Sequence, residues 1–271
     1  MYIKLKNGCE VNCDIQGTGE PLILVHSYLW DNRMWEPQIE KLRERFKCIS
    51  IELHGHGRSK SLVDPGKVYS LEEMTRDVIE VADYLELDTF FYCGLSVGGM
   101  IGGHLITSYP ERVRGCVLMD THVGEEPATS KDQYFEMLNI IEKLNFIPMQ
   151  MSDTIAPMFF SKKTNSEKGE LYTEFKKSLL NTPPENIPTI VALGRGIFGR
   201  SDILGKLREV RVPTLFISGL EDIPRPIAES EEMAALIEGA QVVGIEECGH
   251  ISTLEKPAET TEAILNFFDT L

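Results

Sequence analysis

Four short segments are dominated by apolar residues with little alternation: PLILVHS (21–27), KCISIEL (47–53), TFFYCGL (89–95) and RGCVLMD (114–120). A strand with one wet face alternates apolar and polar residues. A run that is apolar on both faces fits only inside a sheet covered on both sides. Each of the first three runs is followed by a helical pattern: WEPQIEKLRERF, SLEEMTRDVIEVADYLEL and VGGMIGGHLITSY. Ser70 with Glu73 three residues on forms a capping box at the start of the second helix. Strand–helix repetition of this kind predicts a parallel sheet with right-handed crossovers. Two earlier strands, YIKLK and CEVNCDIQG, meet across Asn7-Gly8, a hairpin signal.

The repetition stops after the sixth strand. Residues 121–207 are Met-rich and punctuated by Pro, with helical patterns at SKDQYFEMLNIIEKL, SEKGELYTEFKKSLL and PENIPTIVALGRGIF and no good strand. It resumes with VPTLFISGL, IAESEEMAALIEG, AQVVGIEE and PAETTEAILNFFDTL. The expected organisation is an α/β core of residues 1–120 and 208–271, interrupted by a helical cap of residues 121–207.

Residues 89–110 contain no Asp, Glu, Lys or Arg, a span long enough to cross a membrane. The β-rich run followed by a Gly-rich helix with His104 inside it reads instead as a buried strand turning sharply into a buried helix. The formal charge of −15 argues against nucleic acid or an anionic membrane as partner. Six scattered cysteines (Cys9, Cys13, Cys48, Cys93, Cys116, Cys248), no CxxC and no secretory leader in MYIKLKNG point to free thiols in a cytoplasmic protein. No Cys/His set has metal-ligand spacing, and no cofactor motif is present.

Gly94-Leu95-Ser96-Val97-Gly98 is a G-x-S-x-G motif between a predicted strand and a predicted helix, the setting of a nucleophile elbow. A serine hydroxyl needs a base. His250, in ECGHISTLEKP, follows the last strand. Asp222, in SGLEDIPRP, follows the strand before it and could orient the imidazole. All three loops leave the carboxyl edge of a parallel sheet. Glu221 should point away from the base, and Asp120 ranks second to Asp222. An oxyanion would be held by the N–H of Val97 and by the N–H of Tyr28, in the loop after LILVHS. Trp30, Met34 and Trp35 would make an apolar wall.

These motifs resemble the α/β-hydrolase superfamily, in particular its esterase, haloperoxidase and 3-oxoadipate enol-lactonase-like group. The likeness runs from LILVHSYLWD through the elbow to CGHISTLEKP, and ELHGHGRS is similar to that family's D-x-x-G-H-G-x-S loop. It implies a mostly parallel twisted sheet flanked by helices, with a helical lid inserted after the sixth strand. It also implies a Ser96–Asp222–His250 triad and an oxyanion N–H at Tyr28. Two positions depart from the pattern: Ser27 replaces the glycine of the usual His-Gly, and Glu52 replaces an aspartate and reads as structural. A serine at position 96 excludes the aspartate-nucleophile dehalogenases and epoxide hydrolases.

The expected activity is hydrolysis of a small ester or lactone. Carbon–carbon bond hydrolysis, thioester hydrolysis and a non-catalytic receptor that retains the triad are the alternatives; a homodimer is compatible with the sequence. His26, His54, His56 and His104 read as structural. Met137, Met149, Met151, Met158 and the aromatics near them would wall a pocket or form the cap's own core. Trp30, His122 and Arg195 are candidate substrate contacts, Arg195 and Arg200 because a guanidinium could pair a carboxylate. The simpler readings are a solvated loop residue for His122 and surface arginines for the other two.

Overall fold

In the computed structural model, which describes residues 1–62 and 64–271, all eight expected strands join one sheet. They are β1 (Tyr2–Lys4), β2 (Glu10–Gln16), β3 (Glu20–Val25), β4 (Phe46–Ile51), β5 (Phe90–Leu95), β6 (Val113–Met119), β7 (Thr214–Gly219) and β8 (Gln241–Ile245), in the order β1-β2-β4-β3-β5-β6-β7-β8. The first hairpin is antiparallel, Tyr2 opposite Asn12, and β2 runs antiparallel to β4. From β4 to β8 every pairing is parallel.

The two-faced apolar runs explain the layers. Along β3, Ile23 and Val25 face one core with Val78, Ile101 and Leu105, while Leu22 and Leu24 face another with Leu42, Ile264 and Phe268. The helices behind these contacts are α1 (Glu36–Leu42), α2 (Leu71–Tyr84) and α3 (Val97–Ser108) before the sheet is interrupted. Each fully buried side chain of this size contributes roughly 1.5–3 kcal/mol of transfer free energy. The charge-free residues 89–110 are thus β5, α3 and the turns that flank them. Among the described residues no helix is long and apolar enough to cross a membrane. The capping box at Ser70 and Glu73 forms as expected.

Between β6 and β7 run α4 (Ala128–Leu144), α5 (Met149–Ile155), α6 (Lys162–Glu167), α7 (Glu170–Leu180) and α8 (Ile187–Phe198). α4, α5, α7 and α8, with the segment before α6, share an apolar cluster that includes Leu138, Ile155, Phe160, Phe175 and Val191. The single helix expected over residues 166–180 is two. Lys168 adopts the left-handed conformation (φ 46°) and ends α6, and Gly169 begins α7. The short α5 was not anticipated; seven residues show too little periodicity to stand out. After β7 come α9 (Ile227–Ala234), α10 (Ser252–Glu255) and α11 (Pro257–Phe268).

Candidate active site

The turns after β3, β5, β6, β7 and β8 all leave one edge of the sheet. Ser96 sits at φ 57°, ψ −113°, a conformation that costs on the order of 1–3 kcal/mol for a residue with a Cβ. Its amide donates to Met119 O (2.8 Å), and its carbonyl accepts from Thr121 Oγ1 (2.7 Å) and Met100 N (2.9 Å). The motif's glycines are required by contact. A Cβ on Gly94 would lie 2.1 Å from Gly98 O, and one on Gly98 would lie 2.2 Å from Val25 O. The strand and helix close on each other there, and the Ser96 hydroxyl is left facing a cavity.

His250 lines the same cavity. Its Nδ1 lies 2.8 Å from Asp222 Oδ2, both side chains being buried. The second Asp222 oxygen accepts the Arg225 amide (3.0 Å). An imidazole that donates from Nδ1 presents Nε2 as the basic nitrogen. Among the described residues the Ser96 hydroxyl makes no hydrogen bond to that nitrogen; such contacts commonly tighten only when substrate is bound. Glu221 points away, as expected, and accepts the Lys162 amide (2.7 Å). Asp120 does not reach His250. It accepts from Gly219 N (2.8 Å) and Ser252 Oγ (2.6 Å), and its pKa is raised far above the carboxylate range, first by burial and then by Asp222.

The loop after β3 supplies a second set of N–H groups. Neither Tyr28 N nor Val97 N, the latter at the first position of α3, donates to another group among the described residues. Leu29 N does: it donates to His56 Nε2 (3.2 Å). His56 Nδ1 donates in turn to His54 O (2.9 Å), and His26 bridges Ser27 O (2.7 Å) and Leu53 N (2.9 Å) in the same manner. Both rings are therefore neutral Nδ1–H tautomers, each accepting a backbone N–H at Nε2. Burial lowers both pKa values, that of His56 to about 3. Ser27 is fully buried and has no positive φ; in this turn the left-handed conformation falls on Leu29 (φ 68°), two residues on. Glu52 is structural, accepting from Asn12 Nδ2 (3.0 Å) and Arg58 N (2.8 Å).

One further residue was not foreseen. Glu255 on α10 accepts Gly249 N (2.7 Å), Ser161 N (3.0 Å) and Ser161 Oγ (2.8 Å), while His250 N donates to Phe159 O (3.0 Å). The loop that carries the imidazole is thereby stitched to the segment between α5 and α6.

The cavity holds about 780 Å³ of empty space, part of it open to solvent. Tyr134, Met137, Met158 and Phe159 line it; Met151 and Phe160 are buried in the helices' own cluster, and Met149 is exposed. Three expected contacts lie elsewhere. Trp30 stacks on Phe175 (4.3 Å between ring centroids), behind Phe159 rather than on the cavity. His122 turns to Glu232 (3.2 Å). Arg195 pairs with Glu142 (2.8 Å) and Asn139 (2.9 Å) on the outer side of α4. Arg200 is not a surface arginine: it is buried against Glu126 (2.8 Å). The arginine that does line the cavity is Arg225, three residues after Asp222. His104 is buried in α3; its carbonyl accepts from Thr107 Oγ1 (3.2 Å), and its imidazole makes no hydrogen bond among the described residues. No group of three or more His, Cys, Asp or Glu side chains among the described residues converges as a metal set would.

A serine on a strained strand–helix turn and a carboxylate-held imidazole thus line one cavity, with unengaged N–H groups in the adjoining turns. The alpha/beta hydrolase fold family matches residues 20–257 by its sequence profile. The chain belongs to that family. It is 27% identical to a pimeloyl-[acyl-carrier protein] methyl ester esterase of Nitrosomonas europaea, over 96% of this chain and 99% of that protein. It is 23% identical to 3-oxoadipate enol-lactonase 2 of Acinetobacter baylyi, over 90% and 87%. A thermophilic esterase from Thermogutta terrifontis superposes with a TM-score of 0.90 at 27% identity, covering 100% of this chain and 98% of that one.

Proposed function

We propose that the protein hydrolyses small carboxylic esters or lactones through an acyl-enzyme on Ser96. His250 takes the Ser96 proton as the hydroxyl attacks the acyl carbon, and Asp222 holds the imidazolium that forms. The tetrahedral oxyanion accepts from the N–H groups of Val97 and Tyr28. His250 then protonates the leaving alcohol, activates a water, and the acid departs. Each oxyanion donor contributes roughly 3–4 kcal/mol to the transition state, and the base roughly 10²–10⁴ in rate. Residues 121–207 act as the cap that shapes the acyl pocket. No step needs a cofactor.

The observation that carries this reading is a single cavity lined by both Ser96 and His250, the latter 2.8 Å from Asp222. The esterase and enol-lactonase names of the relatives support the same reaction class. The test is hydrolysis of p-nitrophenyl acetate. Ser96→Ala should lower kcat/KM by about 1,000-fold or more, with unfolding by urea unchanged. Full activity in that variant would refute the mechanism.

A further inference from the structure

An arginine on an acyl pocket ordinarily invites a substrate carboxylate, but Arg225 is already matched. One terminal nitrogen sits on Glu126, and the other lies 3.4 Å from both oxygens of Glu229. Glu126 also holds Arg200, whose Nε donates to Gly124 O (2.7 Å). Two cations and two carboxylates cancel in a cluster where Arg200, Arg225 and Glu126 are buried. Beyond it, His122 lies 3.8 Å from Glu229 and 3.2 Å from Glu232. Burial opposes the charge of Arg225, and Glu126 and Glu229 outweigh it, so the guanidinium stays charged and paired.

Most of the remaining wall is apolar, with Met100, Met137, Leu138, Ile141, Met158 and Phe159; its polar members are Tyr134, Tyr28, whose hydroxyl already donates to Ile190 O (2.7 Å), and Ser96 and His250 at the floor. A carboxylate brought among these side chains would lose its water and find both terminal nitrogens of Arg225 engaged. An uncharged aliphatic group loses nothing there and gains by burial. We infer that the pocket selects esters whose acyl group is uncharged, and that Glu126 and Glu229 are specificity-determining residues because they neutralise Arg225. This rests on ester hydrolysis at Ser96.

The experiment compares kcat/KM for p-nitrophenyl hexanoate with that for mono-p-nitrophenyl adipate, which has a terminal carboxylate on a chain of the same carbon count. The wild type should favour the neutral ester by about 100-fold or more. Glu229→Gln, which removes one of the two neutralising charges at a half-buried position, should narrow that ratio about tenfold, and the narrowing should shrink as salt is raised. A wild-type ratio near one would overturn the inference while leaving ester hydrolysis intact. An unchanged ratio in Glu229→Gln would remove Glu229 from it. Turnover of neither ester would overturn the hydrolase reading and this inference with it.

Discussion

On the sheet side of the cavity, hydrogen bonds to the main chain hold the turns. Ser96 is pinned through its amide and carbonyl to Met119 and Thr121, and Leu29 through its amide to His56. On the helical side, Met137, Leu138, Ile141 and Met158 reach the cavity as flexible or aliphatic side chains, held by packing alone. A main-chain frame tolerates almost no displacement, because each atom is fixed by a bond at both ends. A wall of side chains can repack around ligands of different shape, methionine especially. The comparison separates a frame fixed by hydrogen bonds from a wall free to repack.

A pair of substitutions tests this contrast. Gly98→Ala puts a Cβ 2.2 Å from Val25 O, and neither backbone can move without opening the elbow. It should cost about 3 kcal/mol or more in urea unfolding and abolish ester turnover in whatever folds. Met158→Ala on the opposite wall should leave p-nitrophenyl acetate turnover within about threefold. Equal losses in the two variants would show that the helical side is no more forgiving than the sheet side.

A smaller effect tests the frame through pH. His56 has a folded pKa of about 3 against an ordinary value near 6.5, and that of His26 is also lowered by burial. The unfolded chain therefore binds more protons between those values. Stability from His56 is fully present above about 6.5 and is lost as the pH falls toward 3, by up to about 1.4 kcal/mol per pH unit, and His26 contributes with the same sign. Urea midpoints between about pH 7 and pH 5 should show this slope, and His56→Gln should reduce it. An unchanged slope in His56→Gln would mean that this ring is already protonated, with Leu29 N unpaired.

The same division governs what could be read from the sequence. The strands and the Ser96, Asp222 and His250 turns were legible because apolar runs, Gly spacing and chain order report backbone position directly. Trp30, His122 and Arg195 were placed by residue type, and residue type does not give the direction of a loop or helix side chain. Arg225 was passed over although it stands three residues beyond Asp222, where its amide closes a turn on the Asp222 carboxylate. The break at Lys168 was equally hidden, since a lysine carries no ordinary signal for a left-handed residue.

The central claim is that side chains from separate turns make one hydroxyl reactive, and covalent labelling measures that reactivity most directly. A fluorophosphonate probe followed by peptide mass spectrometry should modify Ser96 alone in the wild type, and at least about 100-fold more slowly in Asp222→Asn and His250→Ala. Label on another residue, or equal labelling rates in all three proteins, would contradict the account.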